Sequence, residues 1–207
     1  MANILHIDTS PRGERSISRA LTSEFVTSWK DTHSGVNVTY RDLGRNPVPH
    51  VDESWIAAAF TPVEAHTPEL TEAIKVSNEL VDEFLAADYY VFGVPMYNLS
   101  IPSTFKAYID QIVRVGRTFA ITENGYQGLV DSSKKVLIIT SRGGTFPPGT
   151  PYEVYDQQEP YLRILLGFIG LTDVTFIHAD SLNLGDEPRQ KSLAAAKDAI
   201  AQLVNNW

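Results

Sequence analysis

The stretch from Asp88 to Val113, DYYVFGVPMYNLSIPSTFKAYIDQIV, constrains the fold more than any other. Tyr89 to Val94 is a short apolar run of aromatic and β-branched residues, the composition of a strand covered on both faces in a parallel sheet. Pro95 ends the run, because proline has no N–H to give the ladder. Met96 to Ile101 reads as a loop, and Pro102 then stands where a helix accepts proline, in its first turn. Phe105, Tyr108, Ile109, Ile112 and Val113 follow at helical spacing. The loop thus lies at the carboxyl end of a strand and the entrance of a helix, where open α/β sheets bind ligands. Met96, Tyr97 and Leu99 are apolar around one amide, Asn98. Such a loop fits a flat, partly hydrophobic ligand; the plainer alternative is a plug over the top edge of the sheet.

The first residues repeat this arrangement. Asn3 to Asp8 reads as a strand, Thr9 to Ser18 as a loop, and Ile17, Leu21, Phe25 and Trp29 as one stripe of a helix. The loop holds Ser10, Ser16, Ser18, Arg12, Arg15 and Gly13. Free N–H groups at a helix start, with hydroxyls beside them, make a phosphate site. The loop matches neither GxxxxGK[ST] nor GxGxxG, so a monophosphate fits better than a nucleoside triphosphate or a dinucleotide. Capping of the helix by Ser16 is the reading that needs no ligand. His6, inside the strand, reads as a core histidine satisfied by hydrogen bonds.

Val36 to Asp42 alternates as a second strand, and Ser54 to Phe60 suits one or two helical turns. Thr61 to Pro68 is a polar, flexible loop. Leu70, Ala73, Ile74, Leu80, Val81, Phe84 and Leu85 mark a long amphipathic helix that leads into Asp88. Phe119 to Val130 reads as a hairpin about Asn124-Gly125, an excursion from the sheet expected beside the ligand. Lys135 to Thr140 is a fourth parallel strand, ending in Ser141-Arg142-Gly143-Gly144, where paired glycines admit close backbone approach. Glu159-Pro160 opens a helix running to Gly170, apolar around so much of its circumference that a partner subunit is expected against it. Asp173 to His178 is the fifth strand, and a last helix follows Gly185. Strands alternating with helices give one doubly wound α/β domain over residues 1–207, in the order 2-1-3-4-5. The ligand then belongs at the switch between strands one and three, which is where the two informative loops emerge.

Composition narrows the chemistry. With 25 acidic against 17 basic residues and a net charge of -8, no basic stripe for nucleic acid is visible. The apolar runs are too short to span a membrane. The chain begins directly in a strand pattern with no leader, and a cytoplasmic protein is expected. It has no cysteine, which excludes disulfides, thiolate zinc sites and iron–sulfur clusters, so redox work requires an organic cofactor. No HExxH or clustered ligand set calls for a metal, and no GxSxG elbow or histidine in triad order calls for a hydrolase.

Three loops, one suited to phosphate, one apolar and one rich in glycine, would together hold a flat aromatic ring carrying a monophosphate on a polyol arm. The chain resembles, over nearly its whole length, the FMN-dependent NADH:quinone oxidoreductases, or azoreductases, of the flavodoxin-like superfamily. The resemblance is carried by Pro95-Met96-Tyr97-Asn98, Ile101-Pro102, Lys106 to Asp110, Phe119, Thr122 to Gly125, Ser141 to Gly144 and Leu166 to Gly170. It implies that Ser10, Ser16, Ile17 and Ser18 hold the FMN phosphate. It implies that Met96, Tyr97, Asn98 and Leu99 line the isoalloxazine, and that Ser141, Arg142, Gly143 and Gly144 bond its pyrimidine edge. A basic group near N1 would stabilise the reduced ring, and Arg142 is the candidate for it. The family usually has Phe where Leu99 stands, which bears on acceptor range. Phe60, Phe119, Ile121 and Phe168 are the candidate acceptor pocket. The implied activity is ping-pong two-electron transfer from NADH through bound FMN to quinones, with reductive cleavage of azo compounds, in a homodimer whose flavin lies near the subunit interface. The competing functions are a flavodoxin-like electron carrier, which is a binding module, and an FMN reductase that releases reduced flavin.

Overall fold

In the computed structural model, which describes residues 2–207, each apolar run becomes a strand. In chain order the elements are β1 (Ala2–Asp8), α1 (Ile17–Thr32), β2 (Val36–Asp42), α2 (Glu53–Phe60), α3 (Pro68–Ala86), β3 (Tyr89–Pro95) and α4 (Ser103–Ile112). They continue with β4 (Phe119–Thr122), β5 (Gly125–Gly128), β6 (Lys135–Ser141), α5 (Glu159–Ile169), β7 (Asp173–Ala179) and α6 (Asp186–Val204). The five-stranded parallel sheet has the order β2-β1-β3-β6-β7, the expected 2-1-3-4-5 with the hairpin strands β4 and β5 outside it.

Period-two alternation divides the central strands between two cores. Tyr90, Phe92 and Val94 of β3, with Leu5, Ile7, Val136 and Ile138, pack beneath α3, α4 and α5 on Phe84, Phe105, Ile109, Leu162 and Ile169. Val91, with Ile4, Leu137 and Ile139, faces Phe25, Trp29, Ala196 and Ile200 of α1 and α6. Burying each of these larger side chains stabilises the fold by ~1.5–3 kcal/mol. Both faces are covered, as an all-parallel sheet requires.

Caps stand where the sequence supplies them. Ser16, Asp52 and Thr67 accept from the backbone N–H three residues on. Gly170, at φ 111°, closes α5, with Leu171 N–H donating to Leu166 O at 2.9 Å. The Thr61–Pro68 stretch is more ordered than its polarity implies. It holds a 3-10 turn at Val63–Ala65, and His66 Nε2 lies 3.0 Å from both Ala58 O and Thr61 O.

The hairpin corrects one expectation. It lies not beside the loops at the carboxyl edge but against the far end of α5. Val130 N–H donates to Ile169 O at 2.9 Å, and a Cβ on Gly128 would come 2.3 Å from Gly170 N. The cause is chain direction. Helix α4 carries the chain back to the amino edge, and β6 starts from that edge, so an insertion between them falls there. A seven-residue strand separates the two edges by roughly 20 Å.

Gly128→Ala should therefore force the hairpin off α5, because the contact is with backbone that has no room to move. The expected loss is about 1–3 kcal/mol in urea unfolding. Amide exchange should accelerate at Leu129 and Val130 while the β3 amides stay protected.

Candidate functional site

Strand β1 lies between β2 and β3, and the chain leaves the carboxyl ends of β1 and β3 toward helices on opposite faces. The loops diverge there and leave a cavity of about 230 Å³. Its walls are Ser10, Arg12, Ser16 and Ile17 from the first loop, Pro95, Met96 and Tyr97 from the third strand, Ser141 and Gly143 after β6, and Leu182, Asn183 and Arg189 after β7.

The serine loop gathers the groups that an anion would use. Ser16 Oγ caps α1 by accepting from Arg19 N–H at 3.3 Å, and Ser18 Oγ, fully buried, lies 3.3 Å from it. The N–H groups of Ile17 and Ser18 are in the first turn of α1, where a helix offers them no acceptor. Ser10 Oγ accepts from Arg12 N–H at 3.3 Å, which turns the loop back on itself. Hydroxyls, free N–H groups and the positive end of the α1 dipole meet at one place.

The loop after β3 is a tight turn. Tyr97 N–H donates to Ser100 O at 2.9 Å and Ser100 N–H to Tyr97 O at 3.1 Å, across Asn98 at φ 48° and Leu99 at φ 73°. This is a mirror-image turn. Asn tolerates it; a γ-branched residue such as Leu pays about 1 kcal/mol or more. Outside contacts hold the strained pair: Gln157 N–H donates to Leu99 O at 3.1 Å, and Ser100 Oγ to Gln157 O at 3.2 Å. The N–H groups of Asn98 and Leu99 have no partner among the described residues. Met96 and Tyr97 line the cavity. Asn98 instead faces a second, open cleft of about 630 Å³ that shares Tyr97 and is lined by His50, Ile101, Lys106 and Tyr161. Leu99 is 42% exposed.

Arg142 departs from expectation. Its guanidinium is buried and donates to Asp180 and Asp156, at 2.6 Å each, while its backbone N–H and C=O bond Ala179 and Leu182. The guanidinium is thus committed to two carboxylates of its own chain rather than turned toward the cavity, whose walls do not include it. It acts one step removed: Asp156, which it fixes, caps α5 by accepting from Gln158 and Glu159 N–H, and the adjoining Gln157 pins the Leu99 turn. His178 stands beside this cluster, between Thr140 Oγ1 and Glu159 Oε2, both at 2.8 Å. Burial, then the Arg142 charge, holds its ring below the ordinary histidine range. Gly143 and Gly144 give their carbonyls to Asn183 and Ser181, while their N–H groups are unpartnered among the described residues.

Phe119 and Phe168 do meet, at 4.8 Å between ring centres, with Tyr126 5.4 Å from Phe168. They do so at the amino end of the sheet, away from the cavity, and Phe60 and Ile121 are 71% and 66% exposed. One chain does not bring these four residues to the serine loop. Sequence reasoning missed Leu182, Asn183 and Arg189. The signal was available: every strand of a parallel sheet ends on the same edge, so the loop after β7 had to arrive there with the others. Arg12, inside the serine loop, lines the cavity as well.

A family model described as the flavodoxin-like fold matches residues 2–204. The FMN-dependent NADH:quinone oxidoreductase 2 of Trichormus variabilis is 77% identical over 207 residues, all of both chains. The FMN-dependent NADH:quinone oxidoreductase of Nostoc punctiforme is 62% identical, again over all of both. Among solved structures, an azoreductase from Bacillus anthracis superposes with a TM-score of 0.91 at 28% identity, covering 100% of each chain. An FMN-dependent NADH-azoreductase of the same species, in complex with FMN, gives 0.85 at 26% identity, over 99% of this chain and 100% of that one. By sequence and by fold, this chain belongs to the FMN-dependent NADH:quinone oxidoreductases, a family of the flavodoxin-like fold.

Proposed function

We propose that the chain is an FMN-dependent oxidoreductase that passes two electrons from NADH to quinones and cleaves aromatic azo compounds by the same route. The observation that carries this reading is that an anion cradle and an apolar wall line one cavity, with unpartnered N–H groups in the loops around it. FMN fits those groups. Ser10, Ser16, Ser18 and the Ile17 backbone suit its phosphate; Met96 and Tyr97 suit the ring face; the Gly143 and Gly144 N–H groups suit the carbonyls of its pyrimidine edge. Arg12 and Arg189 add positive charge toward which NADH or the phosphate is drawn.

When bound, FMN supplies reversible hydride chemistry at its ring N5. The protein's residues do the rest. The cradle fixes the phosphate end, so the ring is held at one depth. The Tyr97–Ser100 turn backs the ring without covering it, since Leu99 is half open to solvent. The neighbouring cleft of about 630 Å³ gives room for donor and acceptor to arrive in turn at one place. Sharing one place makes the kinetics ping-pong, with proximity as the main rate contribution. That open approach favours an enzyme over an electron carrier, which needs only a ring edge.

The whole chain is read as one domain and acts as a homodimer. Ile164 on α5 is 73% exposed and Tyr126 on the hairpin 70%, on adjoining surfaces. A second copy covering them would place the Phe119–Phe168 cluster at a boundary between chains, where it can serve the partner's acceptor. No helix among the described residues is long and apolar enough to cross a membrane; NADH as the donor supports a cytoplasmic location.

Anaerobic NADH should bleach the flavin band of FMN-loaded protein, and benzoquinone should restore it. Initial rates at several quinone concentrations should give parallel reciprocal plots. Absence of FMN binding, or intersecting lines, would overturn the reading. Leu99→Gly should relieve the positive-φ strain and raise stability by up to about 1 kcal/mol. It should also raise KM for naphthoquinones roughly 2- to 10-fold through lost apolar contact, with FMN retained. Sedimentation should give about twice the 23.0 kDa chain mass, and Ile164→Glu should shift it toward the monomer with a parallel fall in quinone turnover.

A further inference from the structure

Behind the serine loop lies a group of charged side chains, lining a second cavity of about 460 Å³ that shares only Ser16 with the first. Asp8, at the end of β1, is 1% exposed. It accepts from Thr22 Oγ1 and Tyr40 OH, each at 2.9 Å. Burial pushes its carboxyl up, but the nearby His6 ring and the bonds from Thr22 and Tyr40 outweigh this and leave it below the ordinary range. A second carboxylate, Asp42, ends β2 beside it. Arg19, on the first turn of α1, joins the two: it lies 3.4 Å from Asp8 and 2.8 Å from Asp42, and it donates to the Tyr40 hydroxyl. His6, expected to be a satisfied core histidine, has Nε2 buried without a hydrogen bond and 3.6 Å from Asp8.

The same guanidinium has one more partner. Arg19 Nη2 donates to the carbonyl of Ser10 at 3.1 Å. The segment after β2 presses on the same spot. Leu43 N–H donates to Asp8 O at 2.8 Å, and a Cβ on Gly44 would fall 2.1 Å from Ser10 O. Arg45 continues the contact, its guanidinium against Gly13 and 3.4 Å from Glu14. The cradle's backbone is therefore set from behind by α1 and by the segment after β2, and Arg19 is the one side chain that bonds Asp8, Asp42, Tyr40 and the loop itself.

We propose that Arg19 is a positioning residue for the serine loop: it holds Ser10 against the start of α1 and so sets the preference for the phosphorylated flavin, without touching it. This rests on the reading that the loop holds the FMN phosphate. Two reasons make a planar, multiply donating cation necessary. Asp8 and Asp42 stand just behind a site for an anion, and without a cation between them they would repel it. Arg19 holds Asp42 through both Nη1 and Nη2 while Nη2 also donates to the Ser10 carbonyl and Nη1 to the Tyr40 hydroxyl, four bonds from one planar fork, whereas the ammonium of Lys has three N–H groups and cannot make them all.

The test is fluorescence titration of the flavin-free full chain with FMN and with riboflavin, which lacks the phosphate, in the wild type, Arg19→Gln and Arg19→Lys. The wild type should prefer FMN strongly. Both variants should lose about tenfold or more of FMN affinity, as loss of a charge-assisted hydrogen bond implies, while riboflavin affinity stays nearly unchanged, so the FMN/riboflavin ratio collapses. Equal loss for both flavins would show a role in general folding and overturn the proposal, as would an unchanged ratio in both variants. A ratio kept by Lys and lost by Gln would assign the effect to charge and overturn placement. Should Arg19→Gln fail to fold, Arg19→Lys, which keeps the charge beside both carboxylates, decides alone between a collapsed ratio and a preserved one. A wild type with no preference for FMN would instead refute the phosphate reading on which the proposal stands.

Discussion

The parallel pairing of β1 with β3 is the interaction from which the site follows. A parallel ladder fixes every strand's carboxyl end on one edge, so the loops after β1, β3, β6 and β7 have to meet there. The strands on either side of this pair belong to crossovers on opposite faces, and the loops therefore part and leave a cavity. Every lining residue is a consequence of that register. A shift by one residue would send Phe92 and Val94 to the other face and turn Met96 away from the Ser141 carbonyl it now bonds at 2.9 Å.

Loops alone would be too mobile to hold a ligand at fixed depth, and buried charge answers this on both walls. Arg19 with Asp8 and Asp42 stands behind the serine loop; Arg142 with Asp156 and Asp180 stands behind the glycine loop and the Tyr97–Ser100 turn. Ion pairs this buried gain little net stability, since desolvation offsets much of the attraction. Their value is directional: each guanidinium has one geometry that satisfies its partners, and the loops inherit that geometry. The strained Leu99 turn is the visible result. It persists because Gln157, placed beside the Asp156 that Arg142 fixes, bonds its carbonyl.

The sequence made the sheet order legible because period-two apolar runs and their turn residues are local signals. It made the serine loop and the Met96–Leu99 turn legible for the same reason. Arg142 was misplaced because an arginine beside paired glycines looks the same whether it points to a ligand or to two carboxylates; Asp156 and Asp180 are distant in the chain, and nothing local marks them as partners. The Asp8–Arg19–Asp42 cluster was invisible on the same ground. Asn124-Gly125 marks the hairpin as a hairpin but not its place. Its position depends on which sheet edge the chain has reached after α4, which is topology and not composition. Leu182 to Arg189 went unread although the strand rule that found the other loops applied to them equally.

The misplaced hairpin also bears on how much of an active site one chain can make. The cavity has its polar cradle and one apolar wall, yet Phe119, Tyr126 and Phe168 gather at the opposite edge, beside the far end of α5. Aromatic residues in contact with each other but exposed, such as Tyr126 at 70%, are costly for an isolated surface and ordinary for a surface between subunits. On the reading proposed, these rings are a half-site whose other half is the cradle of a second copy. On that same reading, binding of the cofactor at one chain's serine loop separates from acceptor recognition, which would depend on both chains. Variation in the hairpin would then change what is reduced without disturbing what holds the flavin.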